Sequence, residues 1–116
     1  MADDYFQEQG ITTIAPEVLV TIARLTTLST PGVSRMSSHP AKVNRLIRRG
    51  EGEGVRVEVK DGQVTTDLYV VMMSDVNMRD VSRNIQNSVA RAIEEMVGMD
   101  VGRVNVHIED IDFPEL

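Results

Sequence analysis

The feature that most constrains the fold is a pair of alternating segments joined by a tight turn. Residues 55–60 read VRVEVK, residues 63–73 read QVTTDLYVVMM, and Asp61-Gly62 joins them. Alternation of apolar and polar residues is typical of a half-buried strand, and Asp-Gly favours a two-residue hairpin turn. The sequence therefore predicts a β-hairpin over residues 55–73.

A two-residue turn also fixes the register of the hairpin, because Lys60 must then lie opposite Gln63. This register places mainly apolar residues on one face, in the pairs Val59 with Val64, Val57 with Thr66 and Val55 with Leu68. The other face becomes polar, with Glu58 opposite Thr65 and the oppositely charged Arg56 and Asp67 facing each other. We expect the apolar face to be covered and the polar face to stay open.

Two amphipathic segments are predicted to be helices. Pro16 and Glu17 suit the first turn of a helix, and Pro31-Gly32 ends the apolar stripe that follows them. The second helix is predicted from Asn77, which suits an N-cap, to Gly98, which suits a C-terminal cap. Between those two ends, apolar residues recur at spacings of three and four over about five turns.

The remaining elements are shorter. Ile11–Ile14 is predicted to be a short first strand, and Arg103–Phe113 the last strand, with a bulge or the strand's end near Asp110 where the alternation breaks. The sequence SSHP at 37–40 indicates a break, and the sequence GEGEG at 50–54 indicates a flexible loop.

The order β-α-β-β-α-β predicts an α+β fold. It is a two-layer sandwich in which two main helices cover one face of a mixed sheet of three to four strands. A chain of 116 residues suits one core, so residues 10–116 are expected to form a single domain after a disordered acidic tail at 1–9.

Composition excludes several classes of function. The absence of cysteine excludes disulfide scaffolds, zinc ribbons, thiol catalysis and iron–sulfur clusters. A net charge of −6 disfavours bulk attraction to nucleic acid or anionic lipid. The N-terminal sequence MADDYFQEQG lacks the features of a secretory signal, and no apolar run is long enough to span a bilayer, so direct membrane insertion is not expected.

No catalytic, cofactor-binding or metal-binding motif can be read from the sequence. Neither His39 nor His107 has a partner at the spacing of a known catalytic or metal motif. The acids Glu109, Asp110 and Asp112 are explained more simply as a strand end kept soluble than as a metal site. The sequence therefore predicts a protein that is not an enzyme, although folding could still bring His107, Asp67 and Glu58 together on the open face.

A basic segment leaves a second function open. Residues 42–56 contain five of the twelve Lys and Arg residues, and residues 41–49 would form a basic amphipathic turn if helical. Such a segment could bind phosphate, although the glycine-bracketed clamp and the exposed aromatics of small RNA-binding modules are missing. The alternative prediction is a small nucleic-acid-binding accessory domain, with possible anion-binding residues Lys42, Arg45, Arg48 and Arg49.

Four segments of the chain have a familiar sequence: PEVL at 16–19, PGV at 31–33, GVRVEVKDGQVTTDLYVV at 54–71 and NIQNSVARAIEEMVGMDVGRVNVHIEDIDF at 84–113. Through them the chain, from about Gly10 to Phe113, resembles the alkaline shock protein (Gls-type) envelope stress response family of bacteria. It departs from the family pattern at Ala15, where a capping Ser or Asp is usual, and at Ser74-Asp75, where Tyr-Gly is frequent.

The resemblance implies a small cytoplasmic protein without a cofactor, held at the membrane in some members by a membrane-anchored partner. Together with the outward polar face, it predicts a non-enzymatic scaffold of the envelope stress response type. We expect it to form homo-oligomers and to bind family paralogues or a membrane-anchored tether. Tyr69 is the expected anchor, because an aromatic ring in a polar field is a common hot spot. The predicted partner-binding residues are Arg56, Glu58, Asp67, Tyr69 and His107.

Overall fold

The computed structural model describes residues 12–38, 49–52 and 54–114. These residues form two helices and five strands, in the order α1 Pro16–Leu28, β1 Val33–Met36, β2 Arg49–Gly52, β3 Val55–Lys60, β4 Gln63–Met73, α2 Met78–Val97 and β5 Asp100–Asp112. The predicted α+β class, with two helices on one face of a mixed sheet, is confirmed. Within the described ranges the sheet has five strands, where three to four were predicted.

Strand β4 lies at the centre of the sheet. One edge of β4 pairs in parallel with β5 over the whole length of β4. Its other side pairs antiparallel with β3 over residues 63–68 and with β1 over residues 70–72, and β2 pairs antiparallel with β3. Strands β1 and β3 therefore lie end to end along one side of β4.

The meeting point of β1 and β3 lies beside Tyr69. The Tyr69 amide donates to the Gly54 carbonyl at 2.8 Å, and the Ser37 amide donates to the Tyr69 carbonyl at 2.8 Å. The backbone N–H and C=O of Tyr69 are thus both hydrogen-bonded, one to the start of β3 and the other to the end of β1. The backbone at this residue is fixed between two elements that are far apart in sequence.

The predicted hairpin register is confirmed at each of its six pairs, from Val55 opposite Leu68 to Lys60 opposite Gln63. The turn residues have positive φ, 53° at Asp61 and 79° at Gly62, as a primed two-residue turn requires. Because side chains alternate along a strand, this register decides which residues are buried and which form the open face.

The helix boundaries also follow the sequence. Helix α1 begins at Pro16 with no side-chain cap from Ala15. Helix α2 begins after Asn77, whose side-chain oxygen accepts from the Asp80 amide at 3.1 Å, and it ends at Gly98, which is left-handed with φ 74°. Both helices pack on the same face of the sheet and enclose one aliphatic core, whose fully buried members include Leu19, Ala23, Val57, Leu68, Val70, Met72, Ile85, Val89 and Ile93.

Two local predictions were wrong. Residues 12–14 of the predicted first strand form no strand; Ile14 packs on the core, and Ile11 lies outside the described residues. Both sides of β4 are already paired with other strands, so β4 has no free edge with which residues 12–14 could pair. Residues 50–52 of the glycine-rich loop predicted at 50–54 instead belong to β2, because the outer edge of β3 supplies backbone partners that outweigh the low strand propensity of glycine.

Three further expectations concern parts of the chain that are not described. The acidic tail at 1–9 lies outside the described residues, as do residues 42–48 of the basic segment. The predicted amphipathic turn over 41–49 is therefore untested up to residue 48, and Arg49 is the first residue of β2.

Candidate functional site

The candidate site is the face of the sheet opposite the two helices, which we call the open face. The sheet register brings five predicted residues to this face: Arg56 and Glu58 from β3, Asp67 and Tyr69 from β4, and His107 from β5. Thr65 and Asn105 share it with them. Side chains of the alternate parity, such as Val57, Leu68 and Val104, enter the core.

The parallel pairing of β4 with β5 creates a connected polar and aromatic group. Tyr69 lies beside His107, and their rings stack with centroids 4.5 Å apart and planes 13° from parallel. Asp67 lies beside Asn105, and its Oδ1 accepts from Asn105 Nδ2 at 3.1 Å. The same oxygen lies 3.0 Å from His107 Nε2, and since a carboxylate only accepts, this contact requires a hydrogen on Nε2.

This group fixes the orientation of the exposed aromatic surface. His107 is held on one side by the Tyr69 ring and at its Nε2 by Asp67, and the Tyr69 backbone is held by Gly54 and Ser37. Aromatic side chains whose orientation is already fixed lose little conformational entropy on binding. The arrangement thus presents a preformed aromatic plane with a carboxylate beside it.

Arg56 is the cross-strand neighbour of Asp67, as the sequence predicts. It lies opposite Asp67 in the register, but the structure shows no ion pair between the two side chains. Asp67 is engaged on the other side by Asn105 and His107, while Arg56 Nε is buried without a hydrogen-bond partner among the described residues. The predicted opposition of Arg56 and Asp67 is therefore confirmed, but the two side chains form no ion pair, since β5 provides Asp67 with competing donors.

A second polar group at the far end of the open face was missed by the sequence prediction. The Asp112 carboxylate accepts from the Ser34 hydroxyl and, at 3.4 Å to each of its oxygens, from the Arg35 guanidinium. The hydrogen bond from Ser34, and then the contact with Arg35, hold the pKa of Asp112 below its ordinary value of 3.8, against a small opposing effect of desolvation. The group links β1 to the end of β5 across β4.

The bulge predicted near Asp110 explains how Asp112 reaches this group. Ile108 pairs with Val70 and Asp110 with Val71, so Glu109 is the extra residue in β5. The bulge reverses the parity of the strand and turns Asp112 to the open face. Sequence reasoning detected the parity change, but without β1 it could not identify the partners of Asp112.

The predicted anion-binding residues are not brought into this site by any described contact. Lys42, Arg45 and Arg48 lie outside the described residues, and the Arg49 backbone pairs with Glu58 in the register of β2 and β3. Phosphate binding by this segment stays a prediction. Among the residues that the structure describes, no three or more His, Asp or Glu side chains are grouped closely enough to hold a metal ion.

The opposite side of the molecule has an apolar hollow of about 340 Å³ beside the start of α1. Its lining consists of Thr12, Ile14, Pro16, Val59, Val97 and Met99. These side chains offer aliphatic contact and one hydroxyl, so the hollow could hold an apolar group but contributes no acid or base from this lining. Neither helix of the described part of the chain is long and apolar enough to cross a membrane.

Comparison with known proteins identifies close relatives of the whole domain. The model of the ASP23 family, described as having a cell envelope-related function, matches residues 5–113. The uncharacterized protein YqhY of Bacillus subtilis is 30% identical over 106 residues, which cover 90% of this chain and 78% of YqhY. The uncharacterized protein Spy1535 of Streptococcus pyogenes is 35% identical over 104 residues, covering 88% of this chain and 79% of Spy1535.

Among solved structures, a variant of the MamM CTD has a similar fold. It superposes with a TM-score of 0.50 at 14% sequence identity and covers 81% of this chain and 95% of that one. At this identity the likeness describes the arrangement of helices and strands and nothing about function.

Proposed function

The chain belongs to the ASP23 family of alkaline shock proteins, whose function is cell envelope-related, and from this premise we propose that it is a non-enzymatic interaction protein. It acts in the cytoplasm, where it associates with further copies and with a membrane-anchored protein. The open face of the sheet is its binding surface. No helix of the described residues is long and apolar enough to span a membrane. Binding to the membrane-anchored partner is what holds the protein at the envelope in this proposal.

The observation that carries the proposal is the preformed group of Tyr69, His107 and Asp67 on a face that neither described helix covers. A two-layer domain buries one face of its sheet and leaves the other to solvent or to a partner. A sheet face that meets only solvent needs no more than charged and hydroxyl side chains. An ordered stack of two rings, tied to a carboxylate and placed at the centre of the face, instead resembles the anchors that dominate protein interfaces.

Arg56 adds a second reason. Among the described residues its Nε is buried without a hydrogen-bond acceptor, and an unsatisfied buried donor costs free energy. A partner that supplies a carboxylate or a carbonyl beside Arg56 would recover this loss. We therefore expect the bound partner to place an acceptor over β3, next to the aromatic anchor on β4.

The test is capture of membrane proteins from detergent-solubilised envelopes by the immobilised chain and by the variant Tyr69→Ala. Loss of an aromatic hot spot typically costs about 2 kcal/mol, which corresponds to a binding constant weakened roughly thirtyfold. Tyr69→Phe keeps the ring that stacks on His107, so it should retain most of the binding.

The matched control is Leu25→Ala, which removes an apolar side chain that is 53% exposed on α1, away from the open face. Capture should be unchanged in this variant. The proposal is wrong if Tyr69→Ala captures the same proteins with the same affinity as the parent chain. It is equally wrong if Leu25→Ala abolishes capture while the open-face variants do not.

A further inference from the structure

Strand β5 has the longest unpaired edge in the described part of the chain. It has 13 residues, and of the described strands only β4 pairs with it. Ile108 on this strand is a large apolar residue that is 40% exposed. A long edge strand presents backbone donors and acceptors that another strand can complete. In β5 the Val104 carbonyl already accepts from Gln86 Nε2 at 3.1 Å, and a strand that pairs at Val104 would have to displace this side-chain contact.

We infer that β5 pairs antiparallel with β5 of a second copy, with Val106 at the centre of the contact. This inference deepens the proposed function, on which it rests, by naming the surface through which copies associate. The open face remains available to the membrane-anchored partner.

Two bulges delimit the part of the edge that can pair. The register of β5 against β4 shifts at Gly102 and again at Glu109, and the residues between them pair regularly, from Arg103 opposite Thr65 to Ile108 opposite Val70. A bulge ends regular pairing on its strand. The two bulges therefore leave one short regular segment, which favours a single register over a sliding contact.

The side chains of this segment are complementary to themselves about Val106. In the antiparallel register centred there, each Arg103, the first residue of the regular segment, lies opposite Glu109 of the other copy, the bulge residue that directly follows that segment, and both residues are exposed. Val104 lies opposite Ile108, so the exposed apolar residue meets an apolar partner. Asn105 lies opposite His107, and both are on the open face.

Neighbouring registers lose this complementarity. With Asn105 at the centre, Arg103 would face His107, and Asp100 would face Asp110. With His107 at the centre, Val104 would face Asp110. Like charges or an apolar residue opposite an acid destabilise a strand pair, so the register centred on Val106 is favoured.

The acidic end of β5 does not oppose this pairing. Asp112 lies beyond the Glu109 bulge and is bound by Ser34 and Arg35 of its own chain. Its charge is therefore balanced inside one copy and directed across β4, away from the edge. The pairing would join the two sheets and bring the two Tyr69 and His107 stacks to one continuous open face, with His107 of each copy beside Asn105 of the other.

The experiment is a charge exchange measured by sedimentation velocity over a concentration series of the purified chain. Arg103→Glu or Glu109→Arg places like charges opposite each other twice in the dimer, and each should weaken dimerisation about tenfold. The double variant Arg103→Glu with Glu109→Arg restores both pairs in reversed order and should dimerise like the parent. Arg91→Glu, which breaks an exposed ion pair with Glu95 on α2, is the matched control and should leave dimerisation unchanged.

Cross-linking tests the register, because the chain has no cysteine of its own. At the centre of an antiparallel pair the two Cα atoms lie about 5 Å apart, so Val106→Cys should form an intermolecular disulfide on mild oxidation. In Ile108→Cys the sulfurs of the two copies lie four residues apart along the paired strands, a distance of about 14 Å, so this variant should not form the disulfide.

A monomer at all concentrations, or a dimer indifferent to both single charge reversals, overturns the inference. So does a dimer whose single variants are not rescued by the double variant. Failure of the open-face proposal would look different, since Tyr69→Ala would then leave capture of membrane proteins unchanged whatever the oligomeric state.

Discussion

Replacing Gly54 by alanine should destabilise the protein far more than the same change at Gly62. Gly54 lies where β1 and β3 meet beside Tyr69, with φ +71°. A Cβ atom there would lie 2.7 Å from the Tyr69 carbonyl oxygen and 2.9 Å from both the Met36 Cβ and the Ser37 carbonyl oxygen. At Gly62, with φ +79°, a Cβ would meet nothing within 4 Å.

The difference follows from the separate contributions. Left-handed backbone costs a non-glycine residue about 1–2 kcal/mol, which is partly offset by the lower entropy of the unfolded chain, so Gly62→Ala should lose about 1 kcal/mol. Gly54→Ala has the same backbone cost and in addition overpacks a site whose neighbours are mostly backbone atoms. Overpacking adds about 1–3 kcal/mol, so the total loss should be about 3 kcal/mol.

Urea unfolding followed by circular dichroism measures both losses. The midpoint should fall for both variants and much further for Gly54→Ala, with the slope of the transition unchanged. In urea-free buffer, Gly54→Ala should also weaken partner capture, since Gly54 holds the Tyr69 backbone, while Gly62→Ala should not. Equal losses of stability in the two variants would contradict the close packing of Gly54 against Met36, Ser37 and Tyr69.

Two further predictions concern single contacts. Because the folded pKa of Asp112 lies below its ordinary value of 3.8, its ionised form stabilises the fold above that pH, and this contribution is lost as the pH falls through the lowered pKa. Asp112→Asn should therefore lower the melting temperature at neutral pH and reduce its dependence on acid, and a parallel acid dependence in both proteins would contradict the contact with Ser34 and Arg35. Asn77→Ala removes the side-chain cap of α2 and should cost about 1 kcal/mol in urea unfolding, whereas no loss would mean that the cap observed at Asp80 contributes nothing.

The hairpin and the second helix could be predicted because their signals are local. Asp61-Gly62 specifies both the turn and the register, so the opposition of Arg56 to Asp67 followed from counting residues. Asn77 and Gly98 mark the ends of α2 for the same reason, since a cap is made by residues a few positions away.

The strands β1 and β2 could not be predicted because their stability is not local. Arg49–Gly52 has a composition typical of a loop and becomes a strand only because β3 offers an unpaired edge. The sequence around Ser34 likewise gives no indication that β4 extends far enough to pair with both β1 and β3. Tertiary context overrides propensity in both segments.

The placement of the candidate-site residues on one face of the sheet was predicted, but their contacts were not. Strand alternation identified Asp67, Tyr69 and His107 as residues of one face. Two contacts depend on the parallel register of β4 with β5. One is the stacking of Tyr69 on His107, and the other is the hydrogen bonding of Asp67 to side chains of β5 instead of to Arg56. No feature of either strand alone specifies that register.

The most direct test of the binding surface is site-specific photo-cross-linking in living cells. A photoreactive amino acid replaces Thr65 on the open face in one strain and Arg91 on the exposed side of α2 in another. The open-face account predicts that light links the chain to a membrane protein from position 65 and not from position 91. Cross-links to that membrane protein from position 91 alone would contradict the account and place the binding surface on the helices.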